Sequence, residues 1–295
     1  MNRSDATRDH RLCVEGESPT LSVIVPVFNE AATLHELLNR VLAAPYDKQV
    51  IVVNDGSTDE SPQILKHWQS VASVEVLQHV RNQGKGAAIR TGVERALGHV
   101  VIVQDADLEL NPAAYPDLIA PLLADEADFV IGSRFRGRNR SPLLHRWGVL
   151  LLNLALRWIY GTRLTDEACC YKALRTETLR SMNLQCERFE FCPEVVAKAS
   201  RMQLRIQEVP VEYHPRTSAE GKKLRLRDGA SALATLWRWR HWTPGMPSSI
   251  TSVTPSEQST DGDAPPSELT ATGGESKLRM MFGVAGADHR EGPAL

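Results

Sequence analysis

Asp105 and Asp107 stand one residue apart, directly after the apolar run Val100–Val103. At the end of a buried strand two such carboxylates can turn toward one hard cation. Oxygen ligands of this kind suit Mg2+ or Mn2+, ions that bridge protein carboxylates to a substrate diphosphate. An aspartate-rich surface turn is the competing reading; the strand in front of it favours a site. Three further polar turns follow apolar runs in the same way. Pro26-Val27-Phe28-Asn29-Glu30 ends the first, where Asn29 alone would serve as a helix cap. Asn54-Asp55-Gly56-Ser57-Thr58-Asp59 ends the second and also reads as a capped turn. Arg81-Asn82-Gln83-Gly84-Lys85-Gly86-Ala87-Ala88 is a glycine-rich helix entry without the GxxxxGK[ST] spacing, which excludes a P-loop. Later, Tyr213 to Asp228 carries Arg216, Lys222, Lys223, Arg225 and Arg227, with Gly221 and Gly229 available as hinges. Arginine grips phosphate through two donors and lysine supplies a compact charge, so this segment suits a lid over an anion. A solvated basic loop is the alternative.

The elements around these turns alternate. Strands are expected at Leu21–Val27, Gln49–Val53, Val74–Gln78, Val100–Val103 and Phe129–Ile131, with helices at 30–43 and 84–97 and another capped by Asn111. Such alternation implies a parallel sheet covered on both faces, and ligands on such sheets bind at the carboxyl ends of the strands. All four polar turns fall there. After about Arg140 the alternation stops. An amphipathic helix at Leu143–Tyr160, a short irregular strand at Ala168–Leu174, a late strand at Arg205–Val211 and a last helix at Asp228–Trp242 are expected.

In this order and spacing, PVFNE, NDGSTD, RNQGKGAAIRTG, DADLE and IGSRF resemble the family 2 glycosyltransferases of GT-A fold, most closely the dolichyl-phosphate mannose synthase type, over Leu21 to Arg240. The resemblance implies an α/β fold with a mostly parallel central sheet and helices on both faces. It implies a metal-dependent hexosyltransferase that moves a sugar from a nucleotide-diphosphate donor with inversion. Pro26, Phe28 and Glu30 would then hold the nucleoside, with Val53 and Asp55 beside the base and Lys85 among the donor contacts. Asp105, Ala106 and Asp107 would form the ribose and metal-diphosphate site. Glu109 would be a third metal contact, at a position where the family often has Gln. Arg134 in GSRF matches a phosphate-binding arginine, and Arg216 with Lys222 the pair that clamps the phosphates. Asp107, Arg134 and Asp166 are the residues expected to act in catalysis, Asp166 either as a base or as an orienting group. Phe189-Glu190-Phe191 and Glu194 match residues that line the site. Cys169-Cys170-Tyr171-Lys172 departs from the family, which usually carries Gly-Phe-Arg/Lys there.

A sugar hydroxyl needs a general base to become a nucleophile, whereas a polyprenyl phosphate is already anionic and needs only cations to gather it. Between Ile131 and Arg163 there are seven arginines and no acid. Leu143, Leu144, Trp147, Leu150, Leu151, Leu154 and Trp158 could form a lipid-facing stripe or ordinary core. Polyprenyl phosphate is therefore the expected acceptor. A hydroxyl acceptor with Asp166 as base, and a non-catalytic sugar-nucleotide binder, are the alternatives. A nucleotidyltransferase is excluded because its GxGTR-type loop is missing. No nucleic-acid partner is expected.

The net charge of -2 hides a distribution: Arg201–Trp242 has nine Lys/Arg against four Asp/Glu, and Thr243–Leu295 three against seven. Cys13, Cys169, Cys170, Cys186 and Cys192 lack paired spacing, which fits a reducing compartment. Met1–Pro19 has no apolar signal core, and no run approaches the ~20 apolar residues of a spanning helix. Residues 1–19 are expected to be a disordered extension, 20–242 the catalytic domain and 243–295 a disordered tail. A cytoplasmic protein is expected, with peripheral contact at the cytosolic membrane face through the Trp237–Trp242 end.

Overall fold

A computed structural model describes residues 19–137, 146–216 and 228–245, together with the backbone alone of the helical residues 143–145 and 226–227. The expected terminal extensions fall almost wholly outside the described residues, as do Lys222 and most of the basic loop.

Seven strands form one sheet in the order β3-β2-β1-β4-β6-β5-β7. They are β1 (Leu21–Val27), β2 (Lys48–Asn54), β3 (Val74–Gln78), β4 (Val100–Val103), β5 (Phe129–Ser133), β6 (Lys172–Arg175) and β7 (Ile206–Pro210). Only β6 runs against its neighbours, pairing antiparallel with β4 and β5. The helices are α1 (Ala31–Ala43), α2 (Ser61–Trp68), α3 (Lys85–Arg95), α4 (Tyr115–Leu123), α5 (Leu143–Tyr160), α6 (Thr176–Ser181), α7 (Phe191–Arg201) and α8 (Leu226–Arg238).

The central strands read Val-Ile-Val and Val-Ile-Val-Val rather than alternating, because both faces are buried. Close approach of α3 to β1 depends on Gly92, where a Cβ would lie 2.5 Å from the Ile24 side chain.

Two expected elements differ. The strand placed at Ala168–Leu174 begins only at Lys172. The buried Lys172 ammonium gathers the carbonyls of Glu167 and Cys169 at 2.7 and 2.6 Å, which curls the preceding segment instead of extending it. The last helix stops at Arg238 and continues as a 3-10 turn at Trp239–His241.

Because β6 is reversed, it starts where β4 and β5 end. Its first residues therefore join the same rim as the carboxyl ends of β1, β2 and β4, and the functional side chains collect on that rim.

Candidate active site at the carboxyl ends of the strands

The turns after β1 and β2 hold each other. The amides of Asn29, Glu30 and Ala31 donate to Ser57 Oγ, Ser61 Oγ and Asp59 Oδ2 at 3.0–3.1 Å, so the second turn caps the helix that follows the first. Asn29 is at φ 53° and accepts from the Thr58 amide instead of capping its own helix. Asp55 is buried and accepts from the Gln83 and Gly84 amides at 2.9 and 2.7 Å, and it bonds His79 Nδ1 at 2.7 Å. It thereby pins the glycine-rich turn to the end of β2. Gly84 sits at φ 101°, where a Cβ would come within 2.4 Å of the Glu187 carbonyl. The first amides of α3, those of Gly86 and Ala87, donate to the Arg188 and Glu187 carbonyls at 2.8 and 2.9 Å. These two amides are satisfied within the protein.

An acidic cluster follows β4. Burial by itself would raise the Asp105 carboxyl, but Lys85 Nζ at 2.6 Å outweighs this and holds it below the ordinary range. Asp107 behaves oppositely. Burial first, then the charges of Asp105 and Glu109, push its carboxyl up to about 7 against the pull of Arg216. Arg216 reaches Asp107 at 3.0 Å and Glu30 at 2.9 Å, spanning two of the turns. Its own amide donates to Glu109 Oε1, and Tyr213 Oη donates to Glu109 Oε2. A single bridge between Leu110 and Tyr213 zips these segments together.

Among the described residues no three His, Cys, Asp or Glu side chains stand close enough to share a metal ion. Ions of the Mg2+ type are commonly held by one or two carboxylates, with phosphate and water completing the shell. Asp107, its carboxyl raised by burial and by the neighbouring carboxylates, fits that role, with Asp105 beside it. Glu109, whose oxygens accept from Tyr213 and the Arg216 amide, stands beside them.

Arg134, at the end of β5, forms a two-pronged pair with Asp166: Nε to Oδ2 and Nη2 to Oδ1, both 2.7 Å. The Arg134 amide adds a third bond at 2.9 Å. Asp166 is fully buried, and its own amide is held by Glu208. This geometry favours the orienting role for Asp166 over the base.

Its neighbour Glu167 is equally buried, yet neither carboxylate oxygen has a hydrogen-bond partner. Burial pushes its carboxyl up to about 7, with Lys172 opposing and Asp166 adding to the rise. An unfolded glutamate titrates at about 4.3, so the folded state binds the extra proton across that interval. This group's contribution to stability is full below about pH 4 and is lost as pH rises through 7, a difference on the order of 3 kcal/mol. Glu167→Gln is expected to flatten the decline in urea midpoint between about pH 5 and pH 8. An unchanged decline would show that the buried carboxyl titrates normally.

A cavity of about 830 Å3 joins these groups. Pro26, Phe28, Glu30, Asp55, Lys85, Asp105, Ala106, Asp107, Glu109, Arg134 and Arg216 all line it. Among the described residues four that were expected to line it do not: Val53, Asp166, Glu194 and Glu190, the last of which accepts from the Arg188 amide and Ser231 Oγ. Val53 is a core residue of β2, and Asp166 is screened by Arg134. Phe189 and Phe191 line the cavity as expected. Glu194 instead lies buried against Lys198 and the amides of Gln185 and Cys186. The sequence reading passed over Gln104. Its amide group donates to the Asp105 and Leu110 carbonyls and accepts from Tyr115 and Tyr171, bracing the acidic loop from below. A glutamine ending the run Val-Val-Ile-Val was the available signal. Glu167 was passed over too, and nothing in its spacing marks it.

The far wall of the cavity is formed by α5 and α8, through Val149, Leu151, Leu152, Ala232 and Leu233 among others. On α5, Val149, Leu152 and Leu156 are buried, while Trp147, Leu150, Leu154 and Trp158 stay exposed on the opposite face, Trp158 at 79%, and Leu151 is exposed at the mouth of the cavity. Trp158 stacks on the exposed Trp237 of α8 with ring centroids 6.5 Å apart. Trp239 and Trp242 turn inward over the Lys198 ammonium, at 3.9 and 5.4 Å. Of the three tryptophans expected to meet a membrane, Trp237 alone belongs to the outer face.

The sheet order, the reversed β6 and the acidic loop after β4 define a GT-A nucleotide-sugar transferase fold. Residues 22–180 match glycosyl transferase family 2, and the chain belongs to that family. It is 34% identical over 208 residues to an undecaprenyl-phosphate 4-deoxy-4-formamido-L-arabinose transferase of Pseudomonas fluorescens, an alignment covering 68% of this chain and 59% of the relative. It is 29% identical to the dodecaprenyl-phosphate galacturonate synthase of Rhizobium johnstonii, covering 70% and 62%. The chain thus spans roughly three-fifths of the length of the curated relatives it matches. Among solved structures it resembles glucosyl-3-phosphoglycerate synthase from Mycobacterium tuberculosis in complex with Mn2+, UDP and phosphoglyceric acid. The TM-score is 0.58 at 22% identity, covering 78% of this chain and 80% of the other.

Proposed function

We propose that this chain moves a sugar from a nucleotide-diphosphate donor, GDP-mannose or a UDP-sugar, to polyprenyl phosphate by a single inverting displacement. The observation that carries this reading is one cavity running from the acidic loop after β4 to a pair of helices whose outer faces are apolar. The named activities of the two curated relatives, both on polyprenyl phosphates, support the acceptor class.

In this reading Pro26, Phe28 and Glu30 receive the nucleoside at the end of β1, with Asp55 fixing the floor. Asp107, with Asp105, would hold Mg2+ or Mn2+, which supplies positive charge to the leaving diphosphate when bound. Arg216 spans Glu30 and Asp107 where that diphosphate would lie, and on donor binding it exchanges these carboxylates for phosphate oxygens. Lys222, in the loop that follows, is proposed as its partner. Arg134, held rigid by Asp166, is proposed to place its positive charge at the cavity wall where an anionic acceptor would approach. A phosphate nucleophile needs no proton removed, which agrees with Asp166 being locked in its ion pair.

Transfer from radiolabelled GDP-mannose, UDP-glucose and UDP-N-acetylglucosamine to undecaprenyl phosphate, with Mn2+ and with EDTA, tests this. Label in the lipid phase that EDTA abolishes is expected. Metal-dependent donor hydrolysis with no lipid product would shift the acceptor to a hydroxyl compound, and no donor consumption would favour a binding protein.

The exposed face of α5 supports a proposed membrane contact. A helix apolar on both faces, with one face in the core, leaves the other for a second apolar phase. Arg146 and Arg157 flank that face, and among the described residues no helix is long and apolar enough to cross a bilayer. Peripheral binding at the cytosolic membrane face is therefore proposed. The double variant Trp158→Ala/Trp237→Ala should lose about tenfold or more of its flotation with anionic liposomes, at unchanged UDP binding. Full flotation would remove this face from the membrane contact.

A further inference from the structure

Glu167 is buried beside the cavity with both carboxylate oxygens unpartnered, and the displacement described above gives it no task. Buried polar side chains nearly always have partners, so an exception lining a cavity calls for one that arrives with the ligand. Its backbone is fixed from two sides. The amide donates to Asn153 Oδ1 at 3.1 Å, and the carbonyl accepts from Lys172 Nζ at 2.7 Å. The backbone that carries the side chain is thus held rigidly, as the support of a recognition group should be.

The sheet order says which part of a ligand would meet it. Across the rim the strands run β2, β1, β4, β6, carrying Asp55, then Phe28 and Glu30, then Asp105 and Asp107, then the segment that enters β6. Cys170 in that segment touches Lys85, which in turn binds Asp105, so the segment adjoins the acidic loop directly. A nucleotide-diphosphate sugar laid along this order has its nucleoside at β1 and β2 and its diphosphate at β4. The sugar falls next, beside the entry to β6.

We propose that Glu167 receives the ring hydroxyls of the sugar being transferred and so helps determine which sugar the site accepts; this rests on the reading of the cavity as a nucleotide-sugar site. A carboxylate accepts two hydroxyls at once, which suits adjacent hydroxyls of a pyranose ring. A site built to bond a substrate hydroxyl rejects analogues that leave it unpartnered, which makes such a group a selector as well as a holder.

The test compares each donor with its own sugar-free nucleotide. UDP-glucose against UDP, UDP-N-acetylglucosamine against UDP, and GDP-mannose against GDP are titrated calorimetrically with Mn2+ into the wild type, Glu167→Ala and Glu167→Gln. For the donor that the wild type binds best, Glu167→Ala should weaken binding about tenfold or more, the usual scale for a hydrogen bond to a charged group. The parent nucleotide should stay within about twofold. Glu167→Gln keeps the volume and one acceptor oxygen, so a smaller loss in the same direction is expected, and it serves if the alanine variant does not fold. Equal weakening of sugar nucleotide and nucleotide would make the role structural and overturn the proposal. Unchanged binding of both, with turnover alone lost, would place Glu167 on the acceptor and overturn it too. A wild type that binds none of the nucleotides would instead remove the underlying reading of the cavity, and the proposal with it.

Discussion

Asp107→Asn should lower transfer by a factor of about 100 to 1,000 while leaving the melting temperature unchanged or higher. The size follows from losing one preorganised charge-stabilising group at a reacting centre. The direction of the stability effect follows from the geometry. Asp107 is largely enclosed beside two other carboxylates, and its carboxyl is raised first by that desolvation and then by their charges. Removing its charge relieves repulsion, and Arg216 keeps Glu30 as a partner. Asp105→Asn makes the contrast, because it strands the Lys85 ammonium without its counter-charge. That variant should lose activity and stability together. Activity is measured as kcat/KM for donor consumption, stability by thermal and urea unfolding. An Asp107→Asn enzyme retaining more than about a tenth of wild-type activity would take Asp107 out of the metal and diphosphate site.

The second large effect is expected at the buried pair of Arg134 and Asp166. Deleting one member of a buried ion pair leaves the other charged and unsolvated, at a cost of about 3–5 kcal/mol. A domain of this size is stable by about 5–15 kcal/mol in total. Asp166→Ala should therefore place the protein close to its folding limit, and Asp166→Asn, which retains one acceptor oxygen, should cost less. Combining Asp166→Ala with Arg134→Met should recover much of the loss, because no isolated charge then remains. A urea-unfolding cycle over the single and double variants measures the coupling. Strictly additive losses would mean that the two side chains do not depend on each other. Arg134→Lys distinguishes charge from shape: the ammonium cannot reproduce the two-pronged contact at 2.7 Å, so both stability and transfer should fall.

Much of this arrangement was present in local pattern. Uninterrupted apolar runs such as Val100–Val103 mark strands buried on both faces, and the residues right after them must lie on the rim. That reasoning placed the turns after β1, β2 and β4 correctly, and with them Pro26, Phe28, Glu30, Asp105 and Asp107. It placed α5 residue for residue because an 18-residue helical period leaves little freedom. Ser57 and Asp59 were visible as turn formers, whereas the helix cap read at Asn29 comes instead from the turn after β2.

What the local pattern does not contain is pairing between distant segments. That α1 is capped from the turn after β2, that Arg216 lies over Glu30 and Asp107, and that Asp166 is enclosed by Arg134 all depend on contacts 28 to 186 residues apart. The reversal of β6 decides more than any of these. It brings Glu167 and Cys170 to a rim they would otherwise leave, although their own sequence gives no periodic signal. Carboxylates also look alike along the chain. Tertiary burial makes one a partner of lysine, one a crowded acid, one a locked brace and one an unpaired group, since desolvation and neighbouring charge set their protonation and availability.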